Sequence, residues 1–291
     1  MHGYLVKLRV KSTRQEYAVV ASKRFLPPAG VNRSKPEQPL RVVISGASGG
    51  LGLALARHYL KQGAVVGVMA RRADLLQSLA DQFPHRVYPY PLDVRDTLAM
   101  QSAAQDFISR CGVPDIVIAN AGVSVGTLTE HAEDTDTFQQ VVEINLLGAV
   151  KTFQPFLLAM RDAGCGSLVG IASVAGFRGL PGAGAYSASK AALISYLESM
   201  RVELRDSGVR VVTVCPGYIK TQMTEINPYP MPFILEADVA ARRIARVIEQ
   251  GKSFAVVPWP MALAGHLLKR MPNWLYDALF CKAPRKPRGL L

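Results

Sequence analysis

The stretch RVVISGASGGLG, from Arg41 to Gly52, decides the fold. Its first half is a short apolar run without polar alternation, the pattern of a strand covered on both faces of a sheet. Its second half puts glycines at 46, 50 and 52, where the strand ends and residues with helical spacing begin. Such a turn lets the backbone approach a ligand closely. It also presents the N–H groups and positive dipole end of a helix to a phosphate. The spacing is G-x-x-x-G-x-G rather than G-x-G-x-x-G, so the strand–turn–helix setting carries the reading more than the glycines alone.

Working outward, further β-branched runs occur at 65–69, 87–92, 115–119, 167–172, 209–214 and 253–257. Between them lie stretches with helical periodicity at 51–62, 73–82, 96–110, 136–161, 185–206 and 236–250. Alternating strands and helices joined by right-handed crossovers predict an α/β fold. Its core would be a doubly wound, Rossmann-type parallel sheet of seven strands with helices on both faces. No internal repeat or linker interrupts residues 41–257, which read as one domain with an appendage at either end.

Composition narrows the function classes. The chain has 291 residues, of which 49% are hydrophobic, so a dominant disordered state is excluded. No apolar run reaches the ~20 residues of a spanning helix. The four cysteines form no CxxC pair and the five histidines show no ligand spacing, so no metal is expected and a reducing cytoplasm fits. The net charge of +12 sits at the ends. Residues 1–41 hold nine basic and two acidic side chains, residues 252–291 seven and one, and the middle is nearly neutral. Basic ends suit either an anionic surface or simply solvated tails. Without a recognition motif or an aromatic–basic stripe, nucleic acid is not an expected partner.

Several positions carry chemistry. Where the second strand ends, an acidic residue would serve a ribose 2′-hydroxyl; here Arg71 and Arg72 stand instead. Guanidinium groups match phosphate geometry, which favours the 2′-phosphate of NADP(H). Asp93-Val94 and Asn120-Ala121-Gly122 follow the third and fourth strands, at the carboxyl edge where open α/β sheets bind ligands. Asp93 could accept a hydrogen bond from adenine or cap the next helix. Ser173 closes the fifth strand, and Tyr186 and Lys190 follow one helical turn apart. An ammonium near a phenol favours the phenolate and would lower its pKa toward a value useful for proton transfer.

Together these segments resemble the short-chain dehydrogenase/reductase family over roughly 41–257. The resemblance rests on SGASGGLG (45–52), ANAG (119–122), EINLLG (143–148), IAS (171–173), YSASK (186–190) and CPGYIKT (215–221). One departure is Ser45, where the family usually has Thr; the hydroxyl is kept. The resemblance implies an NADP(H)-dependent enzyme whose glycine turn, Gly46, Ser48, Gly50, Leu51 and Gly52, holds the cofactor. It implies Tyr186 as general acid, Ser173 on the substrate oxygen, and Lys190 on the nicotinamide ribose. Asn145 would hold a water linking Lys190 to solvent. Pro216, Gly217 and Thr221 would flank the nicotinamide, and Asn120 would lie near the adenosine ribose while bracing the sheet. It further implies a homodimer or homotetramer through 136–161 and 185–206. The expected reaction is reduction of a ketone or aldehyde. Alternatives are oxidation of a secondary alcohol and a non-catalytic NADPH-binding sensor or scaffold.

Specificity should lie in a lid at 217–235, which is apolar and stiffened by Pro228, Pro230 and Pro232. An apolar lid suits a lipid-like or aromatic carbonyl substrate, or packing onto the body or a partner. Residues 258–291 form an apolar helical appendage broken at Pro272, with a basic tail from Lys282 to Arg288. Three readings stand for it: peripheral membrane contact, a cover for the substrate cleft, or packing on a second subunit. Residues 1–40 read as a basic extension, poorly ordered or a weak hairpin.

Overall fold

A computed structural model describes residues 38–289; the expected N-terminal hairpin lies outside the described residues. Strand β1 (Arg41–Ser45) leads through the glycine turn into α1 (Gly50–Lys61). Then follow β2 (Val65–Ala70), α2 (Ala73–Gln82), β3 (Val87–Pro91), α3 (Thr97–Cys111) and β4 (Ile116–Ala119). The second half holds α4 (Asp134–Val142), α5 (Gly148–Asp162), β5 (Ser167–Ile171), α6 (Gly184–Glu203) and β6 (Arg210–Pro216). A two-residue strand β7 (Ile219–Lys220), a short helix α7 (Gln222–Glu225) and β8 (Leu235–Glu236) bound the lid. The chain then forms α8 (Ala237–Glu249), β9 (Phe254–Val257), α9 (Pro260–Arg270) and α10 (Asn273–Phe280).

Seven strands make one sheet in the order β3-β2-β1-β4-β5-β6-β9, with every neighbouring pair parallel. The chain leaves β1 in one direction across the sheet and resumes at β4 in the other, so the crevice opens beyond the carboxyl ends of β1 and β4. The inner strands are buried along nearly their whole length, which is why they read as unbroken apolar runs. β3 carries Pro89 and Pro91 and sits at the sheet edge, where a missing donor is tolerated. On one face α1, α2 and α8 close a core that includes Leu55, Tyr59, Leu76 and Ile244. On the other, α3, α5 and α6 close a second core with Phe107, Phe153, Phe156 and Leu197. The Arg41 side chain and backbone both bind Asp115 (Nε to Oδ2 3.2 Å, N to Oδ2 2.9 Å), fastening β1 to the start of β4.

One local feature departs from the periodicity. The helix expected at 136–161 runs over Asp134–Asp162 but widens to a π turn at Glu143–Leu147 between α4 and α5. This helix is long and apolar enough to cross a bilayer, yet Phe153, Phe156 and Met160 on it belong to the sheet-facing core. The widened turn swings Asn145 inward, a use common to π turns near functional sites.

Candidate active site

The site begins at the turn after β1. Gly46 and Gly50 adopt φ of +69° and +52°, which side chains disfavour. A Cβ on Gly46 would lie 2.7 Å from the Ala121 Cα, and one on Gly52 would run into the Gly46 carbonyl oxygen. The turn is thus pressed against both its neighbouring strand and its own helix. Gly49, at the N-cap of α1, supplies no side-chain cap, and no acidic residue stands in the first turn. The leading N–H groups and the dipole are therefore left for an anionic ligand.

Asn120 and Ser45 brace this turn from beneath. The Asn120 amide donates to the Ser45 and Gly46 carbonyls (3.0 and 3.1 Å), while Ser45 Oγ accepts from the backbone N–H groups of Asn120 and Ala121 (3.2 and 3.3 Å). Ser45 has no methyl group but makes the bonds that a threonine hydroxyl would make. At the outer rim, Arg72 donates to Ser48 Oγ through Nε and Nη2 (3.2 and 3.1 Å), and Arg71 is exposed beside it.

A cavity of about 430 Å³ runs from this turn across the carboxyl edge of the sheet to α6. Every binding residue expected from the sequence lines it, as do Ser173, Tyr186 and Lys190; Asn145 stands behind the wall. The lining also includes Gln222 and Met223 from the expected lid, and Ile144 and Ala172, which the sequence reading did not single out because they carry no distinctive chemistry. Asp93 is less available than expected. Both its carboxylate oxygens are taken by Arg95 (2.8 and 3.1 Å), and this partner holds its pKa below the usual range. The cap of α3 is Asp96, which accepts from the Ala99 N–H at 3.0 Å, so the capping role falls to Asp96.

At the far end, α6 puts Tyr186 and Lys190 on one face. Lys190 Nζ lies 5.9 Å from the Tyr186 ring centre and donates to the Ile171 carbonyl at 2.8 Å. Ser173 is buried and its Oγ accepts from the Ala175 N–H at 3.1 Å. Asn145 Nδ2 donates to the Val123 carbonyl and Ser189 Oγ (both 3.0 Å), and its Oδ1 accepts from the Val123 N–H at 2.8 Å. The Ser189 hydroxyl in turn donates to the Tyr186 carbonyl at 2.8 Å. A Cβ on Gly122 would sit 3.2 Å from Asn145 Oδ1 and 3.4 Å from Lys190 Nζ, so these two groups meet at that glycine. Ser189 was missed: a serine inside a helix gives no signal until its buried partner is known.

The electrostatics correct one expectation. Burial raises the Tyr186 pKa above that of a free phenol; the Ser173 hydroxyl opposes the rise and Cys215 adds to it. Lys190 was expected to lower that pKa. Its ammonium instead bonds to Ile171 and is itself brought down to about 8 by burial. Desolvation wins because Lys190 is buried and Tyr186 is partly buried, which disfavours the charged form of each. Tyr186 is thus protonated at neutral pH. Cys215, behind the pair, is pushed up to about 12 by burial and stays a neutral thiol.

Beyond Ser173 the structure is assembled from distant parts of the chain. The loop between Ser173 and Tyr186 carries Arg178, whose Nη1 donates to the Leu268 carbonyl at 2.6 Å and also to that of Met271. Its Nη2 donates to Asn273 Oδ1 at 2.8 Å, and the guanidinium lies 4.0 Å over the Tyr276 ring. Tyr276 donates to the Gly179 carbonyl at 2.6 Å, and the Phe177 ring stacks with Phe254 at 6.2 Å. Met261 reaches Gly217, where a Cβ would lie 2.7 Å from its Cγ. The inner faces of α9 and α10 therefore pack against the Ser173–Tyr186 loop and Gly217, beside the cavity. The tail behaves differently from the free basic flank expected: Lys286 is buried, donating to Ser124 Oγ and the Met223 carbonyl (both 3.1 Å). Arg288 pairs with Asp134 and Glu133 (2.8 and 2.9 Å), and Gly126 N–H donates to the Pro287 carbonyl at 2.8 Å. Burial lowers Lys286 to about 8. Neither Arg178 nor Lys286 announces itself in the sequence, because their partners lie 90 to 95 and up to 162 residues away.

Comparison with known proteins gives concordant findings. The family model described as short chain dehydrogenase matches residues 41–228. An uncharacterized oxidoreductase of Myxococcus xanthus is 38% identical over 239 residues, covering 81% of this chain and 94% of the relative. The 3-oxoacyl-[acyl-carrier-protein] reductase FabG of Thermotoga maritima is 32% identical over 192 residues, covering 64% of this chain and 76% of the relative. Among solved structures, an alcohol dehydrogenase from the archaeon Thermococcus sibiricus complexed with 5-hydroxy-NADP is 25% identical. It superposes with a TM-score of 0.67, covering 76% of this chain and 96% of that one.

Proposed function

The chain belongs to the short-chain dehydrogenase/reductase family, and we propose that it is an NADP(H)-dependent reductase of ketones or aldehydes on apolar, lipid-like molecules. One observation carries the reading. A single cavity joins an uncapped, glycine-lined helix N-terminus with two arginines at its rim to the Ser173–Tyr186–Lys190 set.

The residues present fit a nicotinamide dinucleotide. The glycine turn is packed against Ala121, Asn120 and Thr221 too closely for a Cβ at 46, 50 or 52, and the free N–H groups of α1 suit a pyrophosphate. Arg71 and Arg72 would bind a 2′-phosphate bidentately, and Val94, Asn120, Ala121 and Gly122 would flank the adenosine. Pro216, Gly217 and Thr221 would border the nicotinamide, whose reduced form supplies a hydride. Tyr186, protonated at neutral pH, would give its proton to the carbonyl oxygen while Ser173 holds that oxygen. Lys190 would bind the ribose, and its charge would stabilise the phenolate left on Tyr186. Asn145, braced by Val123 and Ser189, would hold a water that links Lys190 to solvent. Leu147, Leu158 and Val202, exposed on the π turn, α5 and α6, support assembly into a homo-oligomer through those helices.

The ketoacyl reductase relative supports the reductive direction, and the apolar lid residues Met223, Ile226, Phe233 and Ile234 support an apolar substrate. The resemblance to an alcohol dehydrogenase favours a second reading, oxidation of a secondary alcohol by the same residues run in reverse. Following NADPH consumption against carbonyl compounds graded by chain length and ring number tests the proposal. Turnover rising with apolar size is expected. Turnover confined to small polar carbonyls would remove the substrate assignment, and faster NADP⁺ reduction with alcohols would favour the reverse reaction.

A further inference from the structure

The two helices fastened to the Ser173–Tyr186 loop carry apolar residues on their outer side as well. Along α9, Leu263 and Leu267, with Trp259 at the N-cap, are four residues apart and share a face. They are 66%, 65% and 70% exposed, whereas Met261 and Gly265 on the inner side are buried. On α10, Trp274 and Leu279 are 72% and 59% exposed while Tyr276 is buried against the Ser173–Tyr186 loop. A contiguous set of exposed large apolar groups marks a surface that meets something.

The charges around it indicate what. Lys269 and Arg270 end α9, and Lys282 and Arg285 follow α10. All four are exposed and, among the described residues, none forms a salt bridge. Asp277 is the one acidic residue from 259 to the C-terminus. Helices of 11 and 8 residues cannot span a bilayer but can lie in its interface. Tryptophan favours that depth, and lysine and arginine stems reach from it to headgroup phosphates. A second copy fits less well: a two-fold contact would set this cationic patch against its own image.

We propose that the outer face of α9 and α10 is a docking surface for anionic lipid bilayers, bound through Trp259, Leu263, Leu267, Trp274 and Leu279 with Lys269, Arg270, Lys282 and Arg285 at its rim. Because the inner face of the same helices is fastened to the loop between Ser173 and Tyr186, docking holds that loop close to the lipid surface. The inference does not depend on which carbonyl compound is reduced.

The chain provides its own probe, since its only two tryptophans are Trp259 and Trp274. Full-length protein is mixed at low salt with phosphatidylcholine vesicles, with and without phosphatidylglycerol. With the anionic vesicles, tryptophan emission should shift to the blue, acrylamide quenching should fall several-fold, and the protein should float with the lipid. A Trp259→Ser/Trp274→Ser variant should float at least about ten-fold less, and Lys269→Glu/Arg270→Glu should lose the preference for anionic lipid. Unchanged NADPH binding in both variants would exclude misfolding. Protein that stays at the bottom with unshifted emission overturns the proposal. A blue shift that grows with protein concentration in the absence of vesicles assigns the face to a second copy and overturns it too.

Discussion

The two ends of the cavity are built differently. The cofactor end is made of backbone: glycine carbonyls, helix N–H groups and strand termini packed too closely for a Cβ. Its braces, Ser45 and Asn120, sit on adjacent strands and bond to main-chain atoms. The other end is flanked by side chains far apart in the chain: Arg178 and Tyr276 fasten the Ser173–Tyr186 loop to the appendage, and Lys286 fastens the tail to the lid. The difference separates two tasks. A rigid backbone cradle can hold one ligand in every member of a family, while specificity is adjusted by exposed loops fastened onto it.

Tyr186→Phe should give the largest effect, lowering kcat by about 10²–10⁴-fold. NADPH affinity should stay within a few-fold, because the cradle is untouched. A parallel loss of binding would show that the two ends are not independent. Arg71→Asp, alone or with Arg72→Ala, should next weaken NADPH binding on the order of ten- to a hundred-fold while sparing NADH. Equal losses for both nucleotides, measured by fluorescence titration, would reject the 2′-phosphate assignment.

Arg178→Ala probes the other end. Removing this partly buried guanidinium leaves two carbonyls and Asn273 without their donor and should cost on the order of 1–3 kcal/mol of local stability. Protease cleavage around 271–273 should rise and KM for large substrates should increase, with NADPH binding unchanged. Loss of NADPH binding would mean the appendage supports the cradle as well.

The smallest effect concerns pH. Lys190 and Lys286 are each held near 8 in the folded chain, below the ~10.4 of a free lysine. Between those values the unfolded chain binds more protons, so stability should rise with pH from about 8 to 10.4. Lys286→Met should flatten that rise when melting temperature is followed against pH, and an unchanged slope would show that Lys286 is better solvated than its burial indicates. In the reductive direction, activity should hold through neutrality, where Tyr186 keeps its proton. It should fall above about pH 8 as Lys190 loses the charge that stabilises the phenolate.

Much of this was legible in the sequence for a physical reason. A parallel sheet buried on both faces demands continuous apolar strands, and the turn after β1 demands glycine at fixed offsets. Tyr186 and Lys190 must share a face because a helix repeats every 3.6 residues. These are local constraints, so the parallel seven-stranded sheet, the glycine turn and the face shared by Tyr186 and Lys190 could be read before any coordinates, whereas the strand order came from the structure. The π turn could not, because Glu143–Leu147 has ordinary helical composition and widens only where Asn145 finds Val123 and Ser189.

The sequence alone therefore determined the sheet, the glycine turn and the helix face that Tyr186 and Lys190 share, since each follows from neighbours a few residues away. Only the tertiary structure decided that Arg95 takes the Asp93 carboxylate and that burial raises the Tyr186 pKa despite the nearby lysine. It also showed that the basic tail spends Lys286 and Arg288 on the body. Desolvation and pairing depend on which groups meet in space, and chain separation alone does not reveal those meetings.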